Sequence, residues 1–316
     1  MRLLILLIFS VACSRGGEFQ NPVATSVNTG VSKLYATWAL FFEDSPRSAP
    51  SHSLPIKALR VEDFKEDYQI SWLGHATTLI KFQDKYFMTD PVLGERVSPL
   101  SWLGPKRFHP LPLKELPELE AVIISHDHHD HLDESSLIQL NARTKKFITP
   151  LKVGDYLVSW GIPREKIIEL DWWQSTRLGE VVITCTPARH FSGRGLWGWN
   201  QTLWSSWVIK HPSRTLFFGG DTGMFEGFKE IGERLGPMDL TLMPIGAYDE
   251  LWSDIHLFPH QALEAHKLVN GKTIMPVHWG SFDLGRHAWD EPILEFKKHL
   301  GSTSALIGVP GEVFSF

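Results

Sequence analysis

Apolar positions along this chain recur at two different periods, and the alternation between them predicts a succession of strands and helices. Residues 70–73, 78–82 and 86–89 are short apolar and β-branched runs that read as strands in hairpins, with Gln83-Asp84-Lys85 as a turn. Residues 121–124 form a continuous apolar run bounded by breakers, the pattern of a buried strand. Asp133 is placed to cap a helix running through Leu140. A strand over 147–149 and a helix over 151–160, ended by Gly161, come next. Strands follow over 167–170 and 181–186, then a hairpin of 205–210 and 215–218 around Pro212-Ser213. The remainder alternates: helix 225–234, strand 240–244, helix 259–269 with Pro259 at its start, strand 273–277 and helix 291–300. Strand runs followed by strands alternating with helices occur twice. That predicts an α/β (α+β) fold of four layers, helix, sheet, sheet, helix.

Upstream the pattern dissolves. Residues 13–55 are rich in Ser, Asn, Pro and Gly and read as a flexible tether, interrupted by an apolar patch over 34–42 that predicts a short helix packing on the body. The string Trp38-Ala39-Leu40-Phe41-Phe42 either packs on the domain or contacts acyl chains or a bilayer surface. Residues 1–12 carry one positive residue, Arg2, then seven apolar ones and small residues, the form of a secretory signal. The apolar run is too short to span a bilayer. Ser10-Val11-Ala12-Cys13 resembles a bacterial lipobox, which implies cleavage before Cys13, lipid on Cys13, and a lipoprotein held to a membrane of the bacterial cell envelope. The alternative is a simple cleaved signal with an incidental cysteine. The other cysteine, Cys185, lies in an apolar run and reads as a buried thiol, with no disulfide partner if Cys13 is acylated.

Composition adds two constraints. The chain has 316 residues, 43% of them hydrophobic, enough for one large domain, placed at 56–316, or two small ones. A net charge of -5 without a basic patch gives no support for nucleic-acid binding. Fifteen histidines raise the expectation of a metal site, since imidazole is the commonest metal ligand.

The decisive segment is Ser125-His126-Asp127-His128-His129-Asp130-His131, between a buried strand and a capped helix. Histidine nitrogen and aspartate oxygen are zinc donors. Packing does not explain so many together, because buried imidazoles and carboxylates cost free energy unless a cation pairs with them. Three further donors stand just past other apolar runs: His190 after 181–186, Asp221 after 215–218 through Gly219-Gly220, and His278 after 273–277. The candidate metal ligands are therefore His126, His128, Asp130, His131, His190, Asp221 and His278.

With Asp90, these residues resemble the five successive motifs of the metallo-β-lactamase superfamily, which implies an αββα sandwich of two mixed β-sheets flanked by helices. The chain is more similar still to the N-acylphosphatidylethanolamine-hydrolysing phospholipase D family. The strings that carry this include Trp72-Leu73-Gly74-His75-Ala76-Thr77, Thr89-Asp90-Pro91, Gly104-Pro105-Lys106-Arg107-Phe108, Glu169-Leu170-Asp171-Trp172-Trp173, Leu203-Trp204-Ser205-Ser206-Trp207, Gly220-Asp221-Thr222-Gly223, Ile245-Gly246-Ala247-Tyr248 and His278-Trp279-Gly280. The resemblance implies two zinc ions, one on His126, His128 and His190, the other on Asp130, His131 and His278, bridged by Asp221 and a hydroxide that attacks phosphorus. Asp130 and Asp221 thus enter the catalytic set. Asp90 resembles the carboxylate that orients a ligand imidazole. His75 is either a second such residue or a satisfied structural histidine. His256 matches a histidine near the substrate, able to bind or protonate the phosphate, or is a plain loop residue; Tyr248 lines the pocket or its rim. Iron and manganese also occupy oxygen-rich dinuclear sites.

The resemblance implies a phosphodiesterase that converts N-acylphosphatidylethanolamine-type phospholipids to phosphatidic acid and an N-acylethanolamine. The same metals on the same fold would also serve a lactone or another ester or amide, because fold does not choose substrate. A non-catalytic lipoprotein with structural metals fits less well, since structural zinc sites are usually closed.

Overall fold

Strands covered on both faces read as nearly unbroken apolar runs, because each face must meet a different layer. The computed structural model describes residues 18–25, 48–98, 104–195 and 198–316. Its first sheet contains β1 (Tyr68–Gly74), β2 (Thr77–Phe82), β3 (Lys85–Thr89), β4 (Leu119–Ile123), β5 (Thr144–Pro150), β6 (Ile167–Leu170) and β14 (Val313–Ser315), in the order β14-β1-β2-β3-β4-β5-β6. Strands β1 to β3 form an antiparallel meander, and β3 to β6 are parallel.

The second sheet repeats that plan. Strands β7 (Ser175–Leu178), β8 (Val181–Thr186), β9 (Ser206–His211) and β10 (Arg214–Phe218) are antiparallel. Strands β11 (Met238–Pro244), β12 (Gly271–Val277) and β13 (Ser304–Ala305) extend it in parallel from β10. Helices α1 (Glu134–Leu140) and α2 (Gly154–Ser159) share a buried cluster with the first sheet. Helices α3 (Gly227–Leu235), α4 (Pro259–Leu268) and α5 (Glu291–His299) share one with the second. These are the two mixed sheets and flanking helices of the expected αββα sandwich.

Side-chain alternation divides the core into layers. On β10, Leu216 and Phe218 join the cluster between the sheets, while Phe217 faces the helices. On β2, Ile80 and Phe82 face inward and Leu79 packs with Met88, Leu137 and Phe147.

The sequence pattern and the structure differ in three places. The helix expected over 151–160 covers only Gly154–Ser159, because β5 runs on to Pro150 and Lys152 adopts a left-handed backbone at φ +67°. Strand β7, Ser175-Thr176-Arg177-Leu178, was not expected; it is half exposed at the sheet edge and has no apolar run to announce it. Strands β13 and β14 are two and three residues long, too short for a period to register. Cys13 and the apolar patch over 34–42 lie outside the described residues. Among the described residues, no helix is long and apolar enough to cross a membrane.

Candidate metal centre

The candidate ligands stand at strand ends. Residues 126–131 join β4 to α1, whose N-cap Asp133 accepts from Ser136 N at 2.9 Å. His190 follows β8, Asp221 follows β10, and His278 directly follows β12. Asp90 directly follows β3, and His75 sits in the turn between β1 and β2. His75, Asp90 and His278 adopt positive φ angles of +54°, +32° and +65°. Such backbone is sparsely populated by non-glycine residues and persists where surrounding structure holds it, often at functional sites. His278 N donates to His75 O at 2.8 Å, and Ser281 Oγ accepts from His75 N at 2.6 Å, so two of these turns support each other.

The donors gather into two groups. In the first, His126 Nε2 and His190 Nε2 lie 2.8 and 3.2 Å from His128 Nδ1. In the second, His131 Nε2 lies 3.1 Å from His278 Nε2 and 3.3 Å from Asp130 Oδ2. Asp221 stands between them. Its carboxylate is 3.1 Å from His131 Nε2, 3.2 Å from His278 Nε2 and 3.9 Å from His190 Nε2. All seven expected ligands thus converge from segments spread over 126–278. The arrangement fits divalent cations: imidazole nitrogens and carboxylate oxygens crowd within a few ångströms of one another, and Asp221 Oδ1, 3.2 Å from His278 Nε2, is buried without a well-formed hydrogen bond, a cost that a cation would offset.

Electrostatics distinguishes the groups. Burial, reinforced by neighbouring imidazoles, holds His126 and His190 well below the usual histidine range, and burial lowers His128. These three are neutral and offer lone pairs. In the second group burial opposes every charge, yet mutual attraction outweighs it. Asp130 and Asp221 are held well below the carboxylate range, chiefly by His131, whereas the two carboxylates hold His131 well above its own. His278 is likewise raised to about 9 against burial, by Asp221 and Asp130. Protons therefore occupy the place that a cation would take.

Hydrogen bonds fix which nitrogen of each ring faces the cluster. Asp90 is fully buried and accepts from His131 Nδ1 at 2.7 Å, from Ser125 N at 2.7 Å and from Ser125 Oγ at 2.5 Å. His190 Nδ1 donates to Ile255 O at 3.0 Å. His75, lowered to about 3 by burial and then by His278, is neutral; its Nε2 lies 2.9 Å from Asp130 Oδ2 and donates to it. His129 turns away, its Nε2 on Arg194 O at 3.2 Å. His256 Nδ1, 3.9 Å from Asp221 Oδ2, is buried without a partner, and burial lowers the ring to about 4. The Tyr248 hydroxyl is directed to Glu291 Oε1 at 2.8 Å, with its ring against Phe258 and His287. A shallow cleft opens beside the second group, lined by His75, His278, Trp279, Phe282, Leu284 and Trp289 among others.

Some supports were not foreseen. Ser125, quoted in the motif without a role, joins Asp90 to the first ligand, its Oγ lying 2.8 Å from His126 Nδ1. Asp127 Oδ1 accepts from Gly193 N at 2.7 Å, and Arg194 Nη1 donates to Asp127 O at 2.7 Å, closing the 191–195 loop over the ligand loop. Residues 18–25, expected to be tether, are seated on the body, with Asn21 bonded to His190 and Phe19 N to Asn200 O at 3.0 Å. Nothing in the local sequence signals those partners, which lie more than 160 residues away.

A family model described as the beta-lactamase superfamily domain matches residues 85–279, the stretch that holds all seven candidate ligands. The chain belongs to the metallo-β-lactamase superfamily. Among its relatives, an uncharacterized protein of Mycobacterium tuberculosis is 47% identical over 230 residues, 71% of this chain and 62% of that one. The chain thus spans under two thirds of that relative's length. N-acyl-phosphatidylethanolamine-hydrolyzing phospholipase D 1 of Caenorhabditis elegans is 36% identical over 301 residues, 88% of this chain and 84% of that protein. In three dimensions, the metallo hydrolase Igni18 of Ignicoccus hospitalis shares the superfamily fold. It has a TM-score of 0.58 and 22% identity, over 79% of this chain and 98% of that one.

Proposed function

We propose that this protein is a metal-dependent hydrolase, a phosphodiesterase that cleaves N-acylphosphatidylethanolamine-type phospholipids. Water and the phosphodiester become phosphatidic acid and an N-acylethanolamine. One observation carries the reading: Asp221 reaches both donor groups, 3.1 Å from His131 and 3.9 Å from His190, as a bridging ligand must. The Caenorhabditis elegans relative, matched over most of both chains, supports the substrate class.

In this reading His126, His128 and His190 would hold one zinc ion, Asp130, His131 and His278 would hold a second, and Asp221 would be shared. Such a pair activates water near neutral pH and offsets charge growing on phosphoryl oxygens. The protein's own residues set the geometry. Asp90 and the Ile255 carbonyl keep His131 and His190 in the tautomer that leaves Nε2 free. His75 holds Asp130 in place through Nε2–H. His256, neutral at pH 7, presents Nδ1 to a phosphoryl or leaving oxygen. Trp279, Phe282 and Leu284 supply apolar side chains to the cleft beside the second group, where part of a lipid could rest; Tyr248, directed to Glu291, is not among its lining residues. An acylated Cys13 would keep the domain at the membrane that contains its substrate.

The test is turnover by zinc-loaded protein of N-acylphosphatidylethanolamine in mixed micelles, beside a lactone and a β-lactam, with elemental analysis of the active protein for zinc, iron and manganese. Release of N-acylethanolamine with about two metals per chain is expected. Lactone hydrolysis without lipid hydrolysis would move the assignment to another substrate of the same fold.

A further inference from the structure

His190 stands clear of its own strand. It lies four residues past β8 on a loop that begins at Pro187, which has no N–H to give. Its peptide groups are satisfied instead by one side chain from far upstream. Asn21 Nδ2 donates to His190 O at 2.6 Å, and His190 N donates to Asn21 Oδ1 at 2.9 Å. This is the pairing of two strand residues, made by a carboxamide. The His190 N–H can only donate and its C=O only accept, which fixes which end of the amide faces which group; Trp204 Nε1, which donates to Ala188 O at 3.0 Å, also lies 3.2 Å from Asn21 Oδ1. The neighbouring residue anchors the same segment: Arg189 Nη2 donates to Ala24 O at 2.7 Å, and Arg189 Nε to Thr25 Oγ1 at 3.2 Å.

The imidazole of His190 is therefore held at three points, its N–H, its C=O and its Nδ1, and Asn21 supplies two of them. The second donor group is held without Asn21, by Asp90 on His131 and His75 on Asp130; Asp90 also reaches His126 of the first group through Ser125 Oγ. We propose that Asn21 is a positioning residue for His190, so that the segment 18–25 is a working part of the His126–His128–His190 site and sets its metal affinity separately from that of the other site. The inference rests on the reading that the two groups hold metal.

Zinc affinities of the full chain, measured by competition with a chromophoric chelator, test it, together with the melting temperature of the metal-free protein. In Asn21→Ala one of the two sites is expected to weaken about tenfold or more, within the range for supports behind a ligand, while the other stays as in the parent. Asn21→Asp keeps the acceptor, loses the donor, and should weaken the same single site. Lys145→Ala, which removes an exposed bond to Glu120 and touches neither the segment nor any ligand, should leave both affinities unchanged. Unchanged zinc binding in Asn21→Ala overturns the proposal. So does equal weakening of both sites with a lowered metal-free melting temperature, which would mark the segment as a brace for the fold alone. A parent chain that takes up no zinc defeats the metal reading itself, and is told apart from these outcomes by the parent measurement.

Discussion

At His131 and His278 a proton and a metal ion compete for one place, and this gives the metal-free protein a definite pH dependence. His278 is raised to about 9, and His131 is also raised well above its ordinary value of 6.5. A raised histidine contributes stability that is fully present below 6.5 and is lost as pH climbs through the folded value. Nine others run the opposite way: at the cluster His75 near 3, His256 near 4, and His126, His128 and His190 also depressed, and elsewhere His109 and His266 near 4, with His129 and His287 lowered too. These stay neutral in the fold while the unfolded chain takes up protons, so stability falls as pH drops below 6.5. The metal-free protein should thus be most stable near pH 6.5, with melting temperatures falling on either side. The zinc-loaded protein should lose the decline on the alkaline side, because the cation has displaced those protons. A metal-free melting temperature that rises steadily to pH 9 would contradict this account.

Elements contribute by where they stop. The β3, β4, β8, β10 and β12 ends each place a donor or its support at the cluster within four residues of the last paired position. The approach to Asp221 is a tight one. Gly220 has φ +57°, and a Cβ there would lie 2.7 Å from both Ser125 Cβ and the Ser205 carbonyl oxygen. Gly220→Ala therefore forces the β10 end away from the β4 end that carries the ligand loop. A loss of about 2 kcal/mol or more in denaturant unfolding is expected, with weaker metal binding. Parent-like stability and metal content would show that the two ends can part freely. Here the sequence was informative, since the Gly219-Gly220 pair before Asp221 marked a crowded approach. It was silent where a partner is remote: Ser125 has no special context, yet its hydroxyl joins Asp90 and His126.

At the scale of the molecule, the centre depends on the two sheets keeping their relative position, because each supplies part of both donor groups. Three bonds fasten the start of β9 to the end of β4. Ser205 N and Oγ donate to Ser125 O at 2.9 and 3.0 Å, and Trp207 Nε1 donates to Ile124 O at 2.9 Å. Trp207 is fully buried within the cluster between the sheets. Trp207→Phe would leave a void and strip the Ile124 carbonyl of that donor, for a loss of about 2–4 kcal/mol by denaturant midpoint. Both metal sites should weaken together, in contrast to the single-site effect expected at Asn21. A stability change below about 0.5 kcal/mol would mean the sheets are held elsewhere.

The sequence by itself determined the order of strands and helices, the four layers and the donor types. Those follow from local periodicity and from residues whose chemistry has few other uses. The HxHxDH cluster was legible because its donors are neighbours in the chain. His190, Asp221 and His278 were legible because each follows an apolar run. Only the tertiary structure decided that Asp221 stands between the groups, that His75 bonds Asp130 rather than the general core, that the Tyr248 hydroxyl is directed to Glu291, and that Asn21 clasps His190. Each of these is a contact between residues tens to hundreds of positions apart. Such pairings depend on how two sheets and their loops are laid against one another, and no local pattern of apolar and polar residues encodes that placement.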